Sequence, residues 1–249
     1  MGLTTWLHEQ VAPHIDYHQH RYARTVAKLL TPGAKWLDIG AGSRIHGGWI
    51  PPLQQDLRAK AAVLVGFDVH GVHLRQHPFL TGGAIGFAER LPFRTASVDM
   101  VTANMVLEHL IEPATVFLEV CRVLKPGGSF VFVTPNRSHP VIRVLSLLMG
   151  PKGRKFLAKF VEDKRDSERI FLTHYLANTC ADVQGLAGVA RLEVSELQPF
   201  SSLPMFGKIP PLLALEVLWI RGLAHPGGLY ERGGSNLLGV LRKPEGLPH

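Results

Sequence analysis

Two acids placed at the ends of apolar runs are the residues with the clearest chemistry in this 249-residue chain. Trp36-Leu37-Asp38 leads into Ile39-Gly40-Ala41-Gly42, and Ala62 to Phe67 ends at Asp68. A short apolar run that closes on an acid and a Gly-x-Gly turn is how a buried parallel strand ends when a nucleoside-like ligand lies across its carboxyl end. Gly40 and Gly42 let the backbone turn tightly and approach a ligand with no Cβ in the way.

Two ligand classes use a strand, a glycine turn and a helix. A dinucleotide site needs Gly-x-Gly-x-x-Gly, because its third glycine lets helix and strand pack closely beside the pyrophosphate. Counting from Gly40, that third position is Ile45. A nicotinamide-dependent oxidoreductase is therefore disfavoured.

The company of the turn gives the second class. Asp38-x-Gly40-x-Gly42 is followed by Gly66-Phe67-Asp68, Glu89-Arg90-Leu91-Pro92-Phe93 and Ser97-Val98-Asp99-Met100-Val101. Asn104-Met105-Val106-Leu107-Glu108-His109 and Val123-Leu124-Lys125-Pro126-Gly127-Gly128 come next. In this order the chain resembles class I S-adenosylmethionine-dependent methyltransferases, in the group whose small-molecule members methylate quinones, sterols and similar metabolites. The resemblance is close over about residues 20–136 and looser over 170–243.

The resemblance implies S-adenosyl-L-methionine as cofactor and assigns its contacts. Asp38 binds the methionine amino group, directly or through water, and Gly40, Ala41 and Gly42 line that portion. Asp68 accepts the ribose hydroxyls and Val69 touches the adenine face. Asn104 and Met105 pass beneath the sulfonium end. Family members often carry Asp-Ala before the Leu-Pro-Phe turn, the acid accepting from the adenine amine; here the pair is Phe87-Ala88. The amine is then left to a backbone carbonyl or to Glu89, and Phe87 fits the core equally well.

Methyl transfer is an in-line displacement at an already activated carbon, so holding nucleophile and methyl in line supplies much of the acceleration. A general base is required only where the acceptor loses a proton. The candidates are His109, beside Glu108 after the cofactor-contacting strand, and His174 with Tyr175, expected to enter a helix. The Glu108-His109 pair also reads as a structural feature of a helix start. A non-catalytic methyltransferase-like binding protein stays open, because of Phe87 and because no base stands out.

The elements that must position these residues alternate between strand and helix. Helices are expected over 5–30, 53–61, 71–78, 106–124 (broken near Pro113) and 174–186, and strands over 35–39, 62–67, 84–87, 98–103, 129–134, 191–197 and 236–242. Strands apolar throughout indicate a parallel sheet covered on both faces. The expected fold is α/β, a doubly wound, mostly parallel seven-stranded sheet of the Rossmann-like methyltransferase type, with the last strand antiparallel as the family implies. A single domain is expected over 1–249: an N-terminal helical cap at 1–33, a cofactor-binding core at 34–137, and insertions at 138–175 and 199–233.

Those insertions and the helix around Tyr17, His18 and Tyr22 are the expected acceptor side. Both insertions are rich in Leu, Phe, Met and Ile, which suits packing on the sheet, an apolar pocket, or a membrane-touching surface for a lipid-like acceptor. Lys152, Arg154, Lys155, Lys159 and Lys164 beside the first allow peripheral membrane contact. Net charge is +7, but the basic residues are otherwise dispersed and carry no aromatic-plus-basic nucleic-acid pattern. Cys121 and Cys180 match no metal or disulfide spacing, so no metal site is expected and both should be reduced thiols. No secretory signal, myristoylation site or apolar run long enough to span a bilayer is legible, so a cytoplasmic location is expected.

Overall fold

The computed structural model describes residues 18–42, 51–139, 172–200 and 234–246. Strands β1 (Ala34–Ile39), β2 (Ala61–Asp68), β3 (Gly82–Ile85), β4 (Val98–Asn104), β5 (Leu124–Pro135), β6 (Glu193–Phe200) and β7 (Asn236–Arg242) form one sheet in the order β3-β2-β1-β4-β5-β7-β6. The pairs β2–β3, β1–β2, β1–β4 and β4–β5 are parallel, and β7 is antiparallel to both β5 and β6.

The helices are α1 (His18–Leu29), α2 (Pro51–Lys60), α3 (Gly71–Gln76), α4 (Pro113–Val123) and α5 (Cys180–Ala190). Both faces of the central strands are buried, which is why these strands read as unbroken apolar runs. One face packs Leu37, Val101, Phe130 and Phe132 against Val116, Phe117 and Val120 of α4 and Val183 and Ala187 of α5. The other packs Trp36, Leu64, Met100 and Val131 against Tyr22 and Val26 of α1 and Leu57 of α2.

Chain order runs outward from β1 through β2 to β3, then returns to place β4 on the other side of β1. This reversal opens a crevice at the carboxyl ends of β1 and β4, the place where open α/β sheets bind ligands. At the opposite end, Asp99 closes the strands by accepting Lys125 Nζ at 2.6 Å and the Lys35 amide at 2.8 Å.

Several boundaries differ from the sequence expectation. The helix expected over 174–186 is Cys180–Ala190, so His174 and Tyr175 lie in irregular chain before it. Thr179 and Asp182 form a reciprocal capping box that fixes this start, and such a box satisfies two otherwise orphaned amides. Tyr175 has φ 53°, which no helix residue adopts. Arg191, expected to open a strand, instead ends α5 in the left-handed region at φ 56°.

The strand expected at 84–87 is Gly82–Ile85, leaving Phe87 beyond it. Strand β5 begins at Leu124, with Lys125 to Gly128 bulging out of its register with β4. Tyr22, expected on the acceptor side, is 1% exposed and belongs to the core. Tyr17, Ile45 and nearly all of the insertions at 138–175 and 199–233 lie outside the described residues. No helix among the described residues is long and apolar enough to cross a membrane.

Candidate active site

The register of β1 places Asp38 beside Gly66 of β2 and Thr102 of β4. Paired residues on neighbouring parallel strands point to the same face, so Asp38 and Thr102 meet. Thr102 Oγ1 donates to Asp38 Oδ1 at 2.5 Å and accepts Trp36 Nε1–H at 2.7 Å. Burial pushes the Asp38 carboxyl up to about 7, against the lowering by the Thr102 hydrogen bond and aided by the nearby Asp68 charge. A buried acid in this state gains strongly from a cationic partner.

Asp68 ends β2 one strand away. Its Oδ2 accepts the Gly42 amide at 2.9 Å and its Oδ1 accepts the His70 amide at 2.8 Å. Each oxygen keeps a lone pair for a further donor. The glycine turn is held from below as well, because the Gly40 and Ala41 amides both donate to the Phe67 carbonyl, at 2.7 and 3.3 Å.

The two glycines do different work. At Gly40 (φ +67°) a Cβ would come within 2.3 Å of Val106 Cγ2, so this glycine is required by close packing. At Gly42 (φ +54°) a Cβ would meet nothing among the described residues closer than the Gly40 carbonyl at 4.0 Å. Gly42 lies between the two acids at the carboxyl ends of β1 and β2. A ligand carrying an ammonium group and a vicinal diol fits this donor-and-acceptor set.

The remaining expected contacts divide by burial. Ala41 and Ala88 are buried, and Ala88 packs in the core. Val69 is at the surface and Phe87 is 74% exposed, so Phe87 is not a core residue. The turn after it is fixed by α4: Arg122 donates to the Phe93 and Leu91 carbonyls at 2.8 and 2.9 Å, while Glu119 accepts the Leu91 amide at 2.8 Å. That turn, Leu91-Pro92-Phe93, was legible as a pattern, but its Glu119–Arg122 support was not.

Asn104 and Met105 lie at the end of β4. The Asn104 amide is engaged by Gln19 of α1, and Met105 has φ 55° with its N–H donating to Val133 at 2.9 Å. Beyond them a short 3-10 turn, Leu107–His109, carries the Glu108-His109 pair. Glu108 is buried and accepts Thr134 Oγ1–H at 2.9 Å; Asn178 Nδ2 donates to the same Thr134 oxygen at 2.7 Å. Burial pushes the Glu108 carboxyl up to about 7.

The Glu108 carbonyl accepts the His174 and Tyr175 amides at 2.7 and 3.1 Å, which brings their backbone to the end of β4. His109 lies beside Leu172, with Nδ1 3.3 Å from its carbonyl oxygen. His109 Nε2 stands 4.0 Å from Glu108 Oε1. Thr134 and Asn178 are site-supporting residues that sequence patterns missed. Glu108 stands inside a recognised motif, and the other two are joined to it solely by folding.

Residues 37–132 match the methyltransferase domain family. The chain is 30% identical over 163 residues to the ubiquinone biosynthesis O-methyltransferase of Hahella chejuensis, an alignment that spans 62% of this chain and 60% of that one. The protein of the same description from Vibrio atlanticus is 29% identical, over 63% of this chain and 67% of its own.

Among solved structures, a chain from the complex of the Haloferax volcanii Trm112 methyltransferase activator with a methyltransferase superposes with a TM-score of 0.62. It is 17% identical, and the match covers 98% of this chain and 97% of that one. The [4+2]-cyclase SpnF superposes with a TM-score of 0.56 at 16% identity, covering 98% of this chain and 94% of its own. These structural likenesses establish the fold, and the cyclase shows that the fold alone does not fix the reaction.

Proposed function

We propose that the chain transfers a methyl group from S-adenosyl-L-methionine to a small, apolar or lipid-like acceptor. One observation carries this reading: Asp38 near the end of β1 and Asp68 at the end of the adjacent β2 flank the glycine turn, and Asp68 already holds that turn through Gly42. In this reading Asp38 receives the donor's ammonium, Asp68 its ribose hydroxyls, and Gly40, Ala41 and Gly42 flank the methionine portion. Val69, Phe87 and Ala88 stand at the adenine end, and Asn104 and Met105 beneath the sulfur. The donor supplies an electrophilic methyl carbon on a sulfonium sulfur.

The O-methyltransferase relatives favour a hydroxyl as acceptor. An attacking hydroxyl must give up its proton as the new carbon–oxygen bond forms, and His109 is the residue proposed to take it. His174 and Tyr175 stand beside it through the Glu108 carbonyl and are proposed to border the acceptor. The protein acts in the cytoplasm, at a membrane surface when its acceptor is embedded there.

Isothermal titration with S-adenosylmethionine, S-adenosylhomocysteine and NAD tests the donor. Micromolar binding of the first two, and none of the third, is expected; binding of NAD alone would sink the reading. A non-catalytic binding protein of this family is distinguished by turnover. Methyl transfer to hydroxylated apolar acceptors supports the enzyme, and donor binding without product across such a panel favours the binding protein.

A further inference from the structure

We infer that Gln19, on helix α1, is a positioning residue of the donor site, acting through Asn104. The inference rests on the donor-binding reading above. Gln19 Nε2 donates to Asn104 Oδ1 at 3.1 Å, and Asn104 Nδ2 donates back to Gln19 Oε1 at 2.7 Å. The two amides thus form a closed ring between residues 85 apart in sequence. Gln19 lies outside residues 37–132, the part that matches the family.

Docking of α1 does not require this pair. Tyr22, Ala23 and Val26 are at most 1% exposed and already fasten the helix to the sheet. Gln19 is itself 5% exposed, and burying a polar side chain costs stability unless its partners are supplied. Its partner here is the last residue of β4, at the mouth of the crevice. With its amide committed to Gln19, Asn104 presents backbone rather than side chain to the donor.

The consequence travels through contiguous contacts. Met105 follows in the left-handed region at φ 55°, a conformation that persists only where its surroundings enforce it. Val106 then fills the space that a Cβ on Gly40 would need. A shift of Asn104 therefore moves Met105 and Val106, and through Val106 it loosens the Gly40 turn. Helix α1, outside the motif-bearing core, sets the shape of the donor bed.

The test is isothermal titration of the full chain with S-adenosylhomocysteine, alongside thermal melting without ligand. Gln19→Leu removes both hydrogen bonds and should raise Kd about tenfold, the scale of one buried hydrogen-bonded pair. Gln19→Glu keeps an acceptor for Asn104 Nδ2 but offers Oδ1 no N–H, so a smaller rise is expected; it carries the test where Gln19→Leu does not fold. Combining Gln19→Leu with Asn104→Leu should cost no more than the worse single change, because the two side chains act as one unit. Unchanged Kd in both Gln19 variants, with any loss confined to melting temperature, overturns the assignment; if Asp68→Ala still loses affinity, the donor reading survives. Absence of binding by the native chain overturns the donor reading and the Gln19 assignment with it.

Discussion

The Asp68 carboxylate and the Gly42 amide, 26 residues apart, meet at 2.9 Å. The acid proposed to grip the donor's ribose is thus also a strut of the glycine turn. The other Asp68 oxygen holds the His70 amide at 2.8 Å, which fixes the carboxylate plane before any ligand arrives. Such preorganisation lowers the cost of ordering on binding.

Replacing Asp68 by Ala should weaken S-adenosylhomocysteine binding by roughly 1.5–3 kcal/mol, the range for hydrogen bonds to a charged group. Isothermal titration reads this directly. Unchanged affinity would remove Asp68 from the ribose.

Donor affinity should depend on pH through Asp38. Its carboxyl is held up to about 7 by burial, whereas an ammonium ligand selects the ionised form. Affinity should therefore fall as pH drops below about 7, approaching tenfold per unit for a single linked proton. Asp38→Asn should bind weakly and lose this slope in the same titration.

The contribution of Asp38 and Glu108 to stability without ligand should run in the opposite sense. Both are raised to about 7 from ordinary carboxylate values of 3.8 and 4.5, so each holds more proton in the folded chain than in the unfolded one between about pH 4 and 7. Their contribution is present at acid pH and lost as pH rises through 7, by at most ~1.4 kcal/mol per pH unit for each group. His77 and His139, lowered by burial to about 4 from 6.5, act oppositely below pH 6.5. Urea unfolding across pH 5–8 checks this: relative to the native chain, Asp38→Asn and Glu108→Gln should each make stability fall less, or rise more, as pH increases.

Gly40→Ala and Gly42→Ala should separate packing from binding. The first drives a Cβ into Val106 at 2.3 Å and should destabilise the fold by about 1–3 kcal/mol, as overpacking does; adding Val106→Ala should recover part of that loss. The second meets no such contact and carries only the left-handed cost of about 1–2 kcal/mol. Its larger effect should be on donor affinity, read by titration beside thermal melting.

His109→Gln should lower kcat on a hydroxyl acceptor by about 10²–10⁴, the range for a general base, with donor Kd unchanged. Single-turnover kinetics with a saturating donor provide the measurement. A kcat within a factor of a few of the native chain would move the base elsewhere or dispense with it.

Much of the fold was written locally. The apolar runs ending at Asp38, Asp68 and Asn104 mark the strands, since strands buried on both faces leave no polar alternation. Phe87 shows the limit: its apolar side chain suited the core, and only the shift of β3 to Gly82–Ile85 leaves it exposed. His174 and Tyr175 show another, because the capping box at Thr179 and Asp182 outcompeted the apolar periodicity that began earlier.

The sequence by itself determined the strand order of chemistry: an acid, two glycines, a second acid and an Asn-Met pair, each at a strand end. Those are local signals, set by turn geometry and by the apolar content of single elements. Tertiary structure alone decided what holds them, joining Thr102 to Asp38, Gln19 to Asn104, and Asn178 through Thr134 to Glu108. Such partners are 26 to 85 residues apart, and no spacing rule along the chain links side chains that meet only when the sheet closes.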